Sequence, residues 1–233
     1  MSDGPATGRP FFFVHVMKTA GMTFNAHIHN NFPRATVYPG ADDLTGVDYW
    51  VIDRLREAVR TQRDEIRLWH GHFPYFVTDL VPEAITLSVL REPVARIISL
   101  IDQHRREQAP DKSLQEIYED PKVFRRTILD HQTKVFSMAE SDGVNAWVQP
   151  IDVDAARLEV AKGRLAEVDL LGFQETFDDF LGQLRERWGW RILPVDRANT
   201  AEEKPVVSES FRRRIEADNR FDMELYEFAR SNF

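Results

Sequence analysis

Near the start of the 233-residue chain, an apolar segment is followed directly by residues that could bind an anion. The segment Phe11 to Val16 has the composition of a buried parallel strand, and Lys18-Thr19-Ala20-Gly21-Met22-Thr23 follows it. In a tight turn between a strand and a helix, backbone N–H groups and the helix dipole attract negative charge. The lysine adds a positive charge, the threonines add hydroxyl donors, and the glycine lets the backbone approach a ligand closely. The pattern predicts a loop that binds phosphate or sulfate.

Two alternatives fit the same loop. The first is a P-loop nucleotide kinase or NTPase, but the Walker A motif places its lysine late in the loop, whereas Lys18 precedes Gly21. A later apolar segment, Ala84 to Leu90, also ends in Arg91, where such an enzyme would often have an Mg²⁺-binding aspartate. The second alternative is an ordinary connection between a strand and a helix, in which the lysine is solvated. The residue order disfavours the kinase.

A second set of anion-binding side chains follows Ala84 to Leu90, which has the clearest pattern of a central strand. Arg91 stands at the carboxyl end of this strand, where α/β sheets bind their ligands. Ser99 lies roughly two turns into the helix that Pro93 is expected to begin. A guanidinium can form paired hydrogen bonds with a phosphate, and a hydroxyl can donate one more. Taken alone, these positions also fit an arginine and a serine at an ordinary helix start.

Together the two segments resemble the sulfotransferases that use PAPS (3′-phosphoadenosine 5′-phosphosulfate). The loop Lys18 to Thr23 is similar to the family's 5′-phosphosulfate loop, and Leu90-Arg91-Glu92-Pro93-Val94-Ala95-Arg96-Ile97-Ile98-Ser99 is similar to its 3′-phosphate motif. The resemblance implies that the loop holds the 5′-phosphosulfate, whereas Arg91 and Ser99 bind the 3′-phosphate. It also implies PAPS as co-substrate, PAP (the 3′,5′-bisphosphate) as product, and no metal ion.

Further segments extend this resemblance. Trp69-His70-Gly71-His72-Phe73-Pro74-Tyr75 is similar to the His-Gly-His segment of the uronyl and heparan sulfate 2-O-sulfotransferases and of their bacterial relatives of the sulfotransferase family 2 type. Asp130 to Lys134 is similar to an Asn-x-Gln-Thr-Arg stretch of the bacterial proteins, and Leu171 to Phe177 to their strand that leads into a helix. Asn199 to Lys204 resembles the family's loop that closes over the nucleotide, and the resemblance implies a role for Lys204 in binding PAPS.

Three residues depart from the family pattern. Met17 stands where the family often has proline, Met22 where it often has a small residue or threonine, and His131 where it commonly has asparagine. The backbone donors of the loop survive the first two changes, although Met22 is expected to narrow the pocket. The role of His131 stays open.

Transfer of a sulfuryl group to a hydroxyl requires a base for the proton and stabilisation of charge on the leaving phosphate. His72 is the candidate base, because an imidazole titrates near working pH, and His70 could support it or replace it. If the strand continues through residue 72, its alternation puts both rings on one side. Lys18 is expected to neutralise charge on the bridging oxygen during in-line attack. The alternative is that the histidines only fill the edge of a polar pocket.

The composition is that of one globular domain. With 42% apolar and 29% charged residues, the chain suits a single α/β domain, residues 10–233, after a flexible leader, residues 1–9. A net charge of −8 argues against a general nucleic-acid binder, and the lack of cysteine excludes disulfides and thiolate chemistry. The sequence shows neither a signal peptide nor a transmembrane segment, so we expect a cytoplasmic protein.

The order of elements predicts the fold class. Strands are predicted at Phe11–Val16, Thr36–Tyr38, Ile66–His70, Ala84–Leu90 and Val168–Phe173. Helices are predicted after the first loop, at Val51–Arg63, after Pro93, at Val123–Met138, Val153–Glu167 and Phe177–Trp188, and at the C-terminus, with a loop over residues 198–207. This alternation predicts a P-loop-like, three-layer α/β/α fold with a central parallel sheet and a helical C-terminal half.

The acceptor is not fixed by the sequence. The 2-O-sulfotransferase resemblance implies a hydroxyl on a carbohydrate or glycoconjugate, but an acidic chain is an unusual partner for a polyanionic glycan, and a neutral sugar, a glycolipid headgroup or a small alcohol fits as well. Basic residues that either line an acceptor channel or are solvated occur at Arg105, Arg106, Arg125, Arg126 and Lys134. A relative that binds a nucleotide or glycan without catalysis is a further alternative, and the oligomeric state is not indicated.

Overall fold

Five parallel strands form the centre of the computed structural model, which describes residues 5–40, 46–143, 149–194 and 205–233. They are β1 (Phe11–Val14), β2 (Val37–Tyr38), β3 (Leu68–Gly71), β4 (Ile85–Leu90) and β5 (Leu170–Phe173). Their spatial order is β2-β3-β1-β4-β5, so β1 is central and pairs with both β3 and β4. Every residue of these strands is buried, as expected for a parallel sheet covered on both faces.

Helices cover the sheet and make up most of the C-terminal half. In the described part of the chain they are α1 (Gly21–Asn31), α2 (Ile52–Gln62), α3 (Pro93–Gln108), α4 (Leu114–Tyr118), α5 (Pro121–Val123), α6 (His131–Ser137), α7 (Ala155–Ala166), α8 (Phe177–Trp188), α9 (Glu209–Asp218) and α10 (Arg220–Asn232). Short 3₁₀ turns occupy Arg34–Thr36, Val47–Tyr49, Tyr75–Leu80, Glu140–Asp142 and Gln174–Thr176.

The two faces of the sheet have separate cores, because side chains alternate along each strand. Phe11 and Phe13 of β1 pack with α1 and α8 on one face. Phe12 and Val14 pack with α2, α7 and α10 on the other face. A third core joins α3, α4 and α9. The predicted three-layer α/β/α arrangement with a central parallel sheet is therefore confirmed.

One predicted helix is wrong. Residues Val123 to Met138 form not one helix but α5, a π-helical turn (Phe124–Ile128) and α6, with a break at Asp130, whose φ of 42° is left-handed. The reason is a tertiary contact, since Asp130 Oδ1 accepts hydrogen bonds from two N–H groups in the first turn of α10 (3.0 and 2.9 Å). The predicted C-terminal helix likewise divides, at Asn219, into α9 and α10.

The predicted leader is attached to the domain from residue 5 onward. Ala6 N–H donates to Trp188 O (2.8 Å), and Arg9 Nε donates to Glu83 O (2.8 Å), so this segment forms hydrogen bonds with the domain. Lys204 and most of the loop predicted at residues 198–207 lie outside the described residues. None of the described helices is long and apolar enough to cross a membrane.

Candidate functional site

The connection between β1 and α1 has the backbone geometry of an anion-binding turn. Lys18 and Ala20 are both left-handed, with φ values of 68° and 71°, and such conformations arrange successive N–H groups into a concave anion site. Helix α1 begins at Gly21 without a side-chain cap. The N–H groups of its first turn therefore have no intrahelical acceptor and can face a ligand.

The side chains of this loop divide between interior and surface. Thr19 is fully buried, and its Oγ1 donates to Val16 O (2.8 Å). Its hydroxyl thus braces the turn, and the group that Thr19 offers to a ligand is its N–H. Met22 is 47% exposed in the first turn of α1, whereas Thr23 beside it is half-buried.

Gly21 leaves room for a histidine that the sequence analysis did not single out. A Cβ on this glycine would lie 1.6 Å from Nε2 of His15, so a larger residue would collide with the imidazole. The backbone of Gly21, which was predicted to approach a ligand closely, therefore lies close to the side chain of His15. His15 in turn joins the start of α1 to the histidines described below.

The carboxyl ends of β1 and β4 bring the two predicted anion sites together. These strands are neighbours, with β3 and β2 on one side and β5 on the other, so the crevice between them is the switch point at which α/β sheets bind ligands. Arg91 Nη1 donates to Lys18 O (3.1 Å), and Arg91 Nε is buried with no hydrogen-bond partner among the described residues. Since an unsatisfied buried donor costs free energy, an anion here would be stabilising.

Lys18 reaches from the loop to α3. Its Nζ donates to Gln103 Oε1 (2.8 Å), and Gln103 Nε2 donates to Glu107 Oε1 (2.9 Å). Burial lowers the pKa of Lys18, and the nearby charges of Arg91 and Arg106 lower it further. Burial also lowers the pKa of Arg91. A bound anion would stabilise the charged forms of Lys18 and Arg91 and so raise both pKa values toward their usual range.

The N-terminus of α3 is capped by a side chain, whereas the N-terminus of α1 is not. The Glu92 carboxylate accepts from two N–H groups of the first turn (2.9 and 2.7 Å), so an anion cannot take that position. Ser99 is half-buried on α3, four residues before Gln103 and hence on the same side of the helix. Its hydroxyl therefore lies on the side of α3 that Lys18 contacts.

Three histidines and a tyrosine lie beside the loop. Tyr49 Oη lies 2.9 Å from Nδ1 of His70 and 3.4 Å from Nδ1 of His15. The ring centroid of His72 lies 4.3 Å from that of His15 and 5.3 Å from that of Tyr49. Strand β3 ends at Gly71, between the two predicted histidines, yet both of their rings contact the same tyrosine.

His72 is held in one tautomer. Its Nδ1 lies 2.9 Å from His15 O, and because a carbonyl can only accept, Nδ1 carries the proton and the lone pair of the neutral ring is on Nε2. Its backbone N–H donates to Tyr49 O (2.8 Å). Burial lowers the pKa of His72 to about 4, although the hydrogen bond to His15 O opposes this. His72 is thus neutral at pH 7, with Nε2 able to accept a proton.

Burial lowers the pKa of His70 to about 3, and this sets the sign of a stability prediction. An unfolded histidine has a pKa of about 6.5, so below that pH the unfolded chain binds a proton that the folded protein excludes. The free energy of unfolding is therefore expected to fall, through His70 alone, by about 1.4 kcal/mol per pH unit below pH 6.5. Above pH 6.5 His70 is neutral in both the folded and the unfolded chain, so it no longer changes the free energy of unfolding with pH.

The variant His70→Asn measures this contribution of His70 to the free energy of unfolding, since asparagine can still form a hydrogen bond with Tyr49 Oη but does not titrate. Denaturant unfolding at pH 7.5 and pH 5 should show that the stability advantage of the wild type over the variant shrinks by about 2 kcal/mol at the lower pH. An advantage that is the same at both pH values would contradict a buried, neutral His70.

Several basic residues named from the sequence have partners within the protein. Ion pairs join Arg105 and Arg106 to Asp102, and Arg125 to Asp152. Lys134 is 1% exposed, its Nζ donates to Arg126 O, and burial lowers its pKa to about 7. It is therefore neither a solvated charge nor part of an open channel, which corrects both interpretations of this residue. His131 is equally buried, and burial lowers its pKa too.

Sequence reasoning missed three residues of this region, His15, Tyr49 and Gln103, and gave no role to a fourth, Gln132, which lies in the segment Asp130 to Lys134. A signal existed for His15, because a titratable residue within an apolar strand segment requires a partner. Gln103 follows Ser99 by one helical turn and could have been included with it. Nothing in the local pattern distinguishes Tyr49, which lies in a 3₁₀ turn. The role of Gln132 depends on a contact with Arg91 that only the fold reveals.

Comparison with known proteins identifies the fold. No family model matches the chain, and no curated protein sequence matches it. Among solved structures, the chain is similar to a sulfotransferase from Alicyclobacillus acidocaldarius, with a TM-score of 0.55 over 95% of this chain and 95% of that one, at 15% sequence identity. The chain has a sulfotransferase-like fold. At this identity the likeness extends to the fold alone, and the resemblance to 2-O-sulfotransferases stays a prediction.

Proposed function

We propose that this protein transfers a sulfuryl group from PAPS to a hydroxyl of an acceptor molecule. The observation that carries the proposal is the contact of Arg91 with Lys18 O, beside an Arg91 Nε that has no partner among the described residues. This contact places a backbone loop that suits one anion beside a guanidinium that suits a second anion. PAPS presents two anionic groups on one ribose, and two adjoining cationic sites at neighbouring strand ends fit such a ligand.

The residues divide between the two groups of the donor. Lys18 to Thr23 would hold the 5′-phosphosulfate, chiefly through N–H groups of the turn and of the first turn of α1. Arg91 and Ser99 would hold the 3′-phosphate, since Glu92 already closes the N-terminus of α3. A role for Lys204 in the same site remains a prediction from the sequence.

The chemistry requires a base and stabilisation of charge. PAPS supplies a sulfuryl group attached to a phosphate leaving group. His72 Nε2 takes the proton of the acceptor hydroxyl as its oxygen attacks the sulfur in line. Lys18 and the loop N–H groups compensate the charge that develops on the phosphate oxygen. Burial is the main cause of the low pKa of His72, and an anion beside Lys18 would offset the smaller contribution of the lysine charge, which raises that pKa and makes His72 a better base.

We propose a hydroxyl of a carbohydrate or glycoconjugate as the acceptor. The support is the similarity of residues 69–75 to the His-Gly-His segment of the 2-O-sulfotransferases, in which His70 and His72 are the candidate catalytic residues. The rings of Tyr49 and His15 are buried and pack around His72, so they fix its ring beside the place where the acceptor hydroxyl would bind. His70, which is 1% exposed, supports this arrangement through its contact with Tyr49.

The first experiment compares thermal stabilisation by PAP, 5′-AMP and Mg·ATP. A ligand at 100 times its Kd stabilises the folded state by about 2.7 kcal/mol, which corresponds to about 5–10 °C in Tm for a chain of this length. We expect such a shift with PAP and a much smaller one with AMP, because AMP lacks the 3′-phosphate that Arg91 would bind. A shift with Mg·ATP but not with PAP would instead favour the kinase, and no shift with any of the three would favour a relative without nucleotide chemistry.

A further inference from the structure

A buried glutamine holds the backbone of Arg91 from both sides. Gln132 Oε1 accepts a hydrogen bond from Arg91 N–H (3.1 Å), and Gln132 Nε2 donates one to Arg91 O (2.8 Å). Strand β4 ends at Leu90, so the sheet no longer fixes the peptide groups of Arg91. The glutamine, which is 1% exposed, takes over that role.

Gln132 is itself held rigidly, because α6 and α10 cap each other. The Asp222 carboxylate accepts from the N–H groups of Gln132 (3.1 Å) and Thr133 (2.7 Å) at the start of α6. In return, Asp130 Oδ1 accepts from two N–H groups at the start of α10. Asp130, Gln132, Thr133 and Asp222 are all buried. The backbone that carries Gln132 therefore has little freedom to move.

We propose that Gln132 is a positioning residue for donor recognition, which aims the Arg91 guanidinium at the 3′-phosphate. The inference rests on the proposed function. Among the described residues, the guanidinium has one hydrogen bond, from Nη1 to Lys18 O, and its buried Nε has none. Its direction thus depends on the Arg91 backbone, and Gln132 is the side chain that fixes both polar groups of that backbone.

A primary amide suits this position, because it accepts through one atom and donates through the other. Glutamate keeps the acceptor for Arg91 N–H but cannot donate to Arg91 O when ionised. Methionine has a similar length and forms neither hydrogen bond. The two substitutions therefore remove one or both contacts at nearly constant volume, and both leave Arg91 in the chain.

The test is the selectivity of the protein for PAP over 5′-AMP, measured by titration calorimetry. In Gln132→Met we expect the Kd for PAP to rise about tenfold, since a charge-assisted hydrogen bond is weakened, and the Kd for AMP to change less than about twofold. Gln132→Glu should lie in between, and it serves alone if the methionine variant does not fold. Val135→Ala is the matched control, because it truncates another buried side chain of α6 that faces the sheet core.

The outcomes separate the inference from the proposed function. If the wild type does not prefer PAP to AMP, the proposed function fails, and the inference falls with it. If the wild type prefers PAP but the Gln132 variants keep that preference, or lose it no more than Val135→Ala does, Gln132 is only structural and the inference alone is overturned. The inference is supported if Gln132→Met lowers the preference for PAP in the wild type but has no further effect on it in the Arg91→Ala variant, because Gln132 would then act only through Arg91.

Discussion

Replacing Lys18 with alanine is expected to lower turnover about 10²–10³-fold, the usual effect of removing one donor that stabilises developing charge. Lys18 belongs to the turn with left-handed residues between β1 and α1, and its Nζ contacts only the side chain of Gln103 among the hydrogen bonds of the described residues. The side chain is therefore available to a bound ligand. Loss of one hydrogen bond to a partly exposed glutamine should change the free energy of unfolding by no more than about 1 kcal/mol.

The measurement is steady-state transfer from PAPS to a hydroxyl acceptor, with unfolding of the same variants in denaturant. Lys122→Ala provides the control, because Lys122 is an exposed lysine of α5, and its turnover should match that of the wild type. A fall in kcat with little change in the Kd for PAP would indicate that Lys18 acts mainly in the transition state. Undiminished turnover in Lys18→Ala would remove this lysine from the mechanism.

The strands of the sheet, and the edge at which the two predicted anion sites lie, could be predicted because both follow from local patterns. Continuous apolar segments such as Phe11–Val14 and Ile85–Leu90 identify strands buried on both faces. Ligands bind at the carboxyl ends of such strands, so Lys18 and Arg91 were expected at one edge. The neighbouring position of β1 and β4 is not encoded in either segment, since it depends on how the helices cover the two faces.

The rest depends on contacts between distant parts of the chain. Local propensity favours one helix through Asp130, but that residue caps α10 by binding an N–H group 91 residues later, and the tertiary contact prevails. Tyr49 contacts His70 only because the fold packs β3 against the 3₁₀ turn Val47–Tyr49. By contrast, Glu92 could have been recognised as a cap, since an acidic residue directly before Pro93 is a common helix start.

Asp222 joins two of these distant segments, and Asp222→Ala is expected to lower the free energy of unfolding by about 3–5 kcal/mol, because three buried donors lose their acceptor at once. The Asp222 carboxylate is fully buried and accepts from Gln132 N–H, Thr133 N–H and Thr133 Oγ1 (3.1, 2.7 and 2.9 Å). Burial raises its pKa, whereas the charge of Arg96 lowers it.

The buried positive charge of Arg96 is expected to add to this loss. Its side chain is fully buried and donates to Thr127 O and Ile128 O, and Asp222 is the largest of the charges that favour its protonated state. Asp154→Ala supplies the comparison, because Asp154 is an exposed cap that accepts from Arg157 N–H at the start of α7 (2.9 Å). Chemical denaturation should give about 1 kcal/mol for that variant. Equal losses in the two variants would mean that Asp222 acts only as a cap and that Arg96 does not depend on its charge.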